Sequence, residues 1–323
     1  MMRLLNLIMF CLCMTLLVSC ADRGPVAKVT IKVVDDDGKP VEGAKTGVTF
    51  EVPKGLGRGS ENLTVVETTD ATGTVIFQHK SFMRIGYGVA KEGYYKSNGE
   101  FVFTGRDGGR WLPYNPELVV KLRKVVNPVP MYARDSRNSP ISPLKPDQEV
   151  GFDLLEYDWV HPYGKGNHAD FLFKTSITYN GPEDYSYCLK VSFPGEFDGI
   201  QHVKEDLNSG SEFKLPRSAP SDDNYQRVLT RCRIKKPGKD VVDDYREDNN
   251  YIFRVRSEVE DGKLVRALYG KIHEDIRFAV KKSHESSVLF RYYLNPDYSK
   301  NLEFDPRKNL FGDLIELERV GLR

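Results

Sequence analysis

Period-two alternation of apolar and polar residues, repeated along most of the chain, is the feature that most limits the fold. Val29, Ile31 and Val33 alternate with Lys28, Thr30 and Lys32, and Val48, Phe50 and Val52 alternate with Thr49 and Glu51. Such spacing puts one side of an extended segment on a core and the other in water. The pattern returns over 63–68, 74–77, 85–91, 100–104 and 117–124, with Gly, Asp, Asn or Pro clusters between. It resumes at Phe171 and Phe173, at Tyr187, Leu189, Val191 and Phe193, at Tyr251, Phe253 and Val255, and then over 264–269, 276–280 and 288–294. No window of a dozen residues in this second half has a helical period, so the expected class is all-β. The aromatic residues, 17 Tyr and 17 Phe against 2 Trp, suit strands.

Asp35 to Pro40 supplies turn residues between the first two alternating runs, which therefore read as a hairpin. Seven short strands over residues 25–124 suggest a seven-stranded sandwich. From Val125 to Gln148 the chain carries Pro128, Pro130, Pro140, Pro143 and Pro146, a density that opposes both helix and central strand. This segment reads as a linker or an extended strap. Residues 149–323 then form a second mainly β domain, a sandwich ahead of a barrel.

The run from Val33 through Asp35-Asp36-Asp37-Gly38-Lys39-Pro40 to Ala44, followed by Thr68-Thr69-Asp70-Ala71-Thr72-Gly73 and Lys91-Glu92-Gly93-Tyr94, resembles the carboxypeptidase regulatory-like domain. The resemblance implies a transthyretin-like sandwich that serves as an accessory, usually non-catalytic, module. Its motifs are turn-formers, and Asp35, Asp36 and Asp37 read as a solvated acidic turn before they read as calcium ligands. Gly55, Gly57 and Gly59 lack the Lys-Ser/Thr and the following helix of a phosphate cradle. In the second half, Gly151-Phe152-Asp153-Leu154, Asp158-Trp159-Val160, Tyr163-Gly164-Lys165-Gly166 and Tyr292-Tyr293-Leu294-Asn295-Pro296 resemble uncharacterised bacterial surface proteins, a likeness that implies no activity.

Arg3 is the one charge before Asp22, and the apolar run Leu4 to Val18 is shorter than the ~20 residues of a membrane-spanning helix. Residues 1–19 read as a secretory signal. Leu17-Val18-Ser19-Cys20 resembles the lipobox of bacterial lipoproteins, which implies a diacylglyceryl thioether on Cys20, a further acyl chain on its amine, and residues 20–24 as a lipidated tether. At ~0.8 kcal/mol per buried methylene, two or more chains hold a protein on a membrane stably. The membrane is thus an expected partner. Ala21, standing where an aspartate would retain a lipoprotein at the inner membrane, implies the outer membrane.

The 47 basic and 46 acidic residues nearly cancel, which argues against a nucleic-acid partner. With Cys11 and Cys13 in the signal and Cys20 lipidated, Cys188 and Cys232 remain in an oxidising compartment, bridged or as free thiols. Cys188 alternates with Ser186, Lys190 and Ser192, and Cys232 with Val228 and Ile234, so one reads as outward and the other as inward. The densest cluster of chemically versatile side chains lies between Asp153 and Asp170. Trp159, His161 and Tyr163 offer a stacking surface for a sugar ring, with Asp158, Lys165, Asn167 and Asp170 beside it as polar partners; alternatively Trp159 anchors the loop to the core. His161, His168 and Asp170 lack the supporting pattern of a zinc site, and neither His273-Glu274 nor His284-Glu285 has a histidine at the fourth position. No metal, cofactor or catalytic residue is assigned, and Arg231, Arg233, Lys235, Arg254 and Arg256 read as solvated faces and cross-strand ion pairs. The expected function is non-catalytic binding of a glycan or another envelope component. The alternatives are a polysaccharide hydrolase drawing two carboxylates from Asp153, Glu156, Asp158 and Asp170, and a structural or assembly protein.

Overall fold

The computed structural model describes residues 24–54, 59–137, 141, 145–204, 210–222, 224–281 and 285–322. Cys20, the signal, the tether up to residue 23, Gly55, Gly57 and His284 lie outside these. The chain is all-β, and among the described residues no sheet closes into a barrel. It divides into two compact units, Met1–Val125 with Asn208–Phe213, and Val126–Leu207 with Lys214–Arg323.

In the first unit, β1 (Val26–Val34) lies inside one sheet. It pairs antiparallel with β4 (Thr74–Lys80) and parallel with β8 (Arg110–Leu112) and β9 (Glu117–Lys121); β7 (Gly105–Asp107) follows β8. The other sheet runs β3 (Ser60–Thr68), β2 (Lys45–Pro53), β5 (Arg84–Ala90), β6 (Ser97–Val102), antiparallel throughout. Ala27, Val29, Ile31 and Val33 meet Val48, Phe50, Ile85 and Val89 in the core between them.

The hairpin expected of β1 and β2 does not form, because the two strands belong to different sheets. Ten residues, 35–44, separate them, too many for a tight hairpin loop and enough to cross the sandwich. The crossing is tied at both ends. Asp35 Oδ1 accepts from the backbone N–H of Asp37 and Lys39 at 2.9 and 3.0 Å, and Thr69 bonds Val41 O and Ala44 N. Gly73 has φ of 73°, and a Cβ there would lie 2.5 Å from Val33 O, so the resembling Asp-x-x-Gly sequence fits one close backbone approach.

A second difference concerns the sequence boundary of this unit. The segment from Gly210 to Phe213 reaches it from the distant second half, where Ser211 bridges Ser97 and Asn98 N donates to Gly210 O at 2.9 Å. Phe213 stacks on Tyr95 at 5.0 Å with the Arg123 guanidinium 4.4 Å from its centroid. The added segment covers backbone groups that the edge strand β6 would otherwise expose. No periodicity announces such a contribution.

The second unit has two six-stranded sheets. The first runs β15 (Gly199–Lys204), β18 (Asn249–Glu260), β19 (Lys263–Lys281), β20 (Glu285–Asn295), β10 (Val129–Asp135), β21 (Phe304–Asn309). The second runs β12 (Asp158–Trp159), β11 (Glu149–Asp153), β13 (Phe171–Gly181), β14 (Asp184–Ser192), β16 (Val228–Lys235), β17 (Val242–Asp243). Phe152, Phe171, Phe173, Leu189 and Val191 of one pack with Phe253, Ile272, Phe290 and Tyr292 of the other. The proline-rich segment holds β10, an interior strand, where an interior strand was not expected. Pro130 is tolerated because the pairing of β10 with β21 shifts register between Val129 and Met131, placing the missing N–H at an irregularity. Beyond it, Asp135 is held by Arg291 at 3.0 Å and by Arg137 at 2.7 Å, which gives the segment a buried electrostatic anchor.

Cys188 and Cys232 stand directly opposite each other in the β14–β16 ladder and are joined by a disulfide, with Cα atoms 4.2 Å apart. The separate alternation of each strand assigns them to opposite faces. Directly paired residues in an antiparallel ladder must share a face, here the one turned away from Leu189 and Val191, so the inward reading of Cys232 is corrected.

Two consequences are measurable. Replacing both cysteines by alanine is expected to destabilise the second unit by about 4 kcal/mol from loop-closure entropy across the 44-residue separation. Urea unfolding followed by Trp159 fluorescence in a Trp111→Phe background reads this. In the first unit, the Lys124 ammonium 2.8 Å from Asp35, with the Lys39 and Asp37 N–H groups, draws its carboxyl down to about 2. A folded value below the unfolded ~3.9 stabilises at higher pH and is lost as pH falls through 2. The urea midpoints of wild type and Asp35→Asn, read by Trp111 in a Trp159→Phe background, are therefore expected to differ at about pH 6 and to converge towards pH 2.

Candidate functional site

The loop from Asp153 to Asp170 is shaped from within. Asp158 accepts from the N–H of Trp159 at 2.8 Å and of Lys165 at 3.1 Å, and Asp153 accepts from the N–H of Leu155, Asn167 and His168. A Cβ on Gly164 would lie 2.5 Å from Asp158 Oδ1, and one on Gly166 would lie 2.8 Å from Asp153 Cβ, so both positions exclude side chains. Asp170 is fully buried and takes Arg256 Nε and Nη2 at 2.7 and 2.9 Å, while Nη2 also reaches Asp153 at 2.8 Å. Burial works against the Asp153 charge, but the surrounding backbone N–H groups and Arg256 outweigh it and hold the carboxyl below its usual range. Burial pushes Asp170 the other way, against the pull of Arg256.

The seven residues singled out in this loop are therefore divided. Asp170 is in the interior and presents nothing to a ligand. Trp159 is half-buried, its ring edge-on to Phe152 at 5.1 Å and to Phe173 at 5.9 Å, at the margin of the core. Asp158 is half-buried and occupied by backbone. His161, Tyr163, Lys165 and Asn167 are exposed, and the Tyr163 hydroxyl accepts from Gln148 Nε2. Of the four carboxylates available for hydrolysis, Asp153 and Asp170 share one guanidinium and Asp158 closes the loop, while Glu156 stands in solvent. Arg256 is thus a half-buried ion-pair partner, while Arg254 is buried and donates to Phe197 O at 2.6 Å, so Arg254 does not lie on the solvated face expected of it.

A different part of the second unit offers a concave site. Along the inner face of β14, Val191 and Leu189 are in the core, and the next two residues on that face are Tyr187 and Tyr185. On β16 the residues opposite Leu189, Tyr187 and Tyr185 are Arg231, Arg233 and Lys235. Here the sheets part, and a groove of about 580 Å³ opens between β14, β16 and β17 on one side and residues 276–280 of β19 on the other. Ile276 is fully buried at its base, and Tyr185 and Tyr187 are stacked with centroids 4.7 Å apart. Tyr245, just beyond β17, lies beneath the Arg277 guanidinium at 4.5 Å.

The deep end of the groove is polar and fully engaged. Asp275 is buried and accepts from Arg231 Nε at 2.8 Å, the Tyr251 hydroxyl at 2.6 Å and Asn249 Nδ2 at 2.8 Å; Arg231 also donates to the Tyr251 hydroxyl. Burial works to lower the Arg231 value, but the bond to Asp275 and the nearby Tyr251 outweigh it and raise it; for Tyr251 burial itself raises the value, with Asp275 adding to it. Arg233 stands 3.6 Å from Asp243 at the open edge. Arg231 thus lines the inner side of the sheet end, half-buried on Asp275, a correction to the solvated face read for it, whereas Arg233 is exposed and paired with Asp243 across β16 and β17, as expected. Burial, followed by Tyr179 and Tyr185, raises the Tyr187 hydroxyl, which stays protonated and able to donate at ordinary pH. Sequence reasoning missed this site. Its one local signal is Tyr185-x-Tyr187 beside Arg231-x-Arg233, and only the β14–β16 register brings the two together.

No protein-family model matches this sequence, and no curated protein matches it. Among solved structures, it is similar to 3-chlorocatechol 1,2-dioxygenase from Rhodococcus opacus 1CP, at 12% identity over 32% of this chain and 62% of that one, with a TM-score of 0.25. Catechol 1,2-dioxygenase from Acinetobacter radioresistens gives 17% over 32% and 54%, TM-score 0.25, so the chain spans little more than half the length of these enzymes. The major pilin subunit of Bacillus cereus gives 12% over 86% and 99%, TM-score 0.22. Likenesses this distant carry no argument about function, which rests on the groove.

Proposed function

We propose that this chain is a lipid-anchored protein of the bacterial cell envelope whose second unit binds a glycan without catalysing its breakdown. The supporting observation is the groove at the parted end of the second sandwich. Sugar rings present alternating C–H faces and hydroxyl edges, and they are held by flat aromatic surfaces flanked by hydrogen-bonding groups. Tyr185, Tyr187 and Tyr245 supply the rings, and Arg233, Asp243, Arg277 and the tyrosine hydroxyls supply the donors and acceptors. The groove is open, as suits a segment of a longer chain. Its one lining carboxylate, Asp243, has no second carboxylate lining the groove to pair with, among the described residues, for glycoside hydrolysis.

The envelope address rests on the lipobox resemblance at Cys20, with the outer membrane favoured by Ala21. Among the described residues no helix is long and apolar enough to cross a membrane, and the anchor in this reading is the lipid on Cys20. The first unit, on its regulatory-like motifs, is an accessory module carrying the binding unit on the anchor.

Affinity electrophoresis of the full chain in detergent, through gels cast with different polysaccharides, tests the binding reading. Retardation is expected with at least one glycan, and Tyr187→Ala is expected to weaken it by about tenfold, the loss of roughly one ring contact. Trp159→Ala is expected to retain it while lowering stability by about 3 kcal/mol as a margin of the core is emptied. Retardation lost in Trp159→Ala and kept in Tyr187→Ala would return the site to the loop. The anchor is tested separately: metabolic labelling with an alkyne fatty acid is expected in the full chain and absent from Cys20→Ala, which should leave the membrane fraction.

A further inference from the structure

Three arginines line the groove, and they are not equivalent. Arg231 is consumed by Asp275, and Arg233 is partly answered by Asp243 at 3.6 Å. Arg277 is exposed and, among the described residues, has no carboxylate within ion-pair distance; its guanidinium lies over the Tyr245 ring at 4.5 Å. Stacking occupies the face of a guanidinium and leaves its in-plane N–H fork free. That fork matches two oxygens of a carboxylate, sulfate or phosphate far better than a single sugar hydroxyl. With Arg231 neutralised by Asp275 and Arg233 answered by Asp243, the groove lining holds one cation in excess, Arg277, oriented at the outer rim and unneutralised.

We infer that the glycan bound here is acidic, with an anionic substituent taken by Arg277 while the ring it belongs to lies against the tyrosines. This rests on the glycan-binding reading above. Stacking on Tyr245 fixes the guanidinium before the ligand arrives, so less side-chain entropy is lost on binding than with a free arginine. Tyr185 and Tyr187, stacked on each other and planted beside the core, supply the uncharged part of the surface. Bulk charge does not provide the attraction, since the chain is nearly neutral overall. The selectivity is local to the groove and falls with added salt, as expected of a solvent-exposed charge.

The test uses the full chain in detergent and four gel polysaccharides in matched pairs: polygalacturonate with its methyl ester, and sulfated dextran with dextran. Within each pair the backbone is the same and the charge differs. Wild type is expected to bind at least one acidic member about tenfold more tightly than its neutral counterpart, and the pair that shows this distinguishes carboxylate from sulfate. Arg277→Gln is expected to bring binding of the acidic member down to that of its neutral counterpart, whereas Lys39→Gln, an exposed cation of the first unit, should preserve the preference. Equal binding of acidic and neutral members, lost in Tyr187→Ala, overturns the inference and leaves the glycan reading standing. A preference lost equally in Arg277→Gln and Lys39→Gln overturns it as unspecific charge attraction. Retardation by none of these four or of a wider neutral panel overturns both readings.

Discussion

Shift β16 by one residue against β14 and the second unit loses its groove. Arg231 and Arg233 would turn to the outer face, and Cys232 and Ile234 would enter the inner one, because side chains alternate with a period of two. The observed register is held on both faces. On the outer face Cys188 is bonded to Cys232; on the inner face Leu189, with Arg231 opposite, meets the core beside Asp275. The disulfide is thus directly behind the residues that line the groove, flanked by the pairs Tyr187 with Arg233 and Leu189 with Arg231.

The same unit buries charge at three places where its architecture departs from simple alternation. Asp275 lies where β19 shifts register, between His273 and Arg277, with Glu274 at a φ of 67°. Asp170 and Asp153 fix the loop through Arg256, whose own φ is 53°. Asp135 draws the proline-rich segment onto β20 through Arg291. A buried ion pair contributes little net stability compared with a well-packed apolar pair, but removing one partner is severe, about 3–5 kcal/mol, since the other charge is left uncompensated. These clusters specify the arrangement of irregular segments more than they deepen the energy of the fold. They also explain why two residues of the loop, Asp153 and Asp170, look chemically promising and are structural.

Fold class was legible because alternation is a property of single strands, and strands such as β1, with Ala27, Val29, Ile31 and Val33 buried, obey it closely. Pairing was not, because it is a property of two strands at once. The hairpin expected of β1 and β2 failed on sheet membership, and the opposite faces expected of Cys188 and Cys232 failed on register. Pro130 misled because proline argues against regular pairing and says nothing of a bulge that accommodates it. The loop around Trp159 attracted attention through composition alone: aromatic, histidine and acidic residues crowd together there, but their side chains diverge into core, backbone capping and solvent. The groove, by contrast, draws on residues 185–187, 231–233, 243–245 and 276–280, no two of which are near enough in sequence to form a motif.

In the proposed reading, what suits the end of the sandwich to a sugar is the gradient along a single strand face. Moving outward on β14, Val191 and Leu189 give way to Tyr187 and Tyr185, and the facing strand moves from buried Ile276 to partly buried Phe278 and Val280. Tyrosine suits the transition, since its ring continues the apolar surface and its hydroxyl meets water. The Tyr187 hydroxyl, protonated as phenols are at neutral pH, donates as well as accepts, and the guanidinium on Tyr245 adds charge where the apolar surface ends. A ligand with only apolar faces would leave these donors unanswered, and a small free anion would leave the rings uncovered. A chain of rings bearing anionic groups answers both.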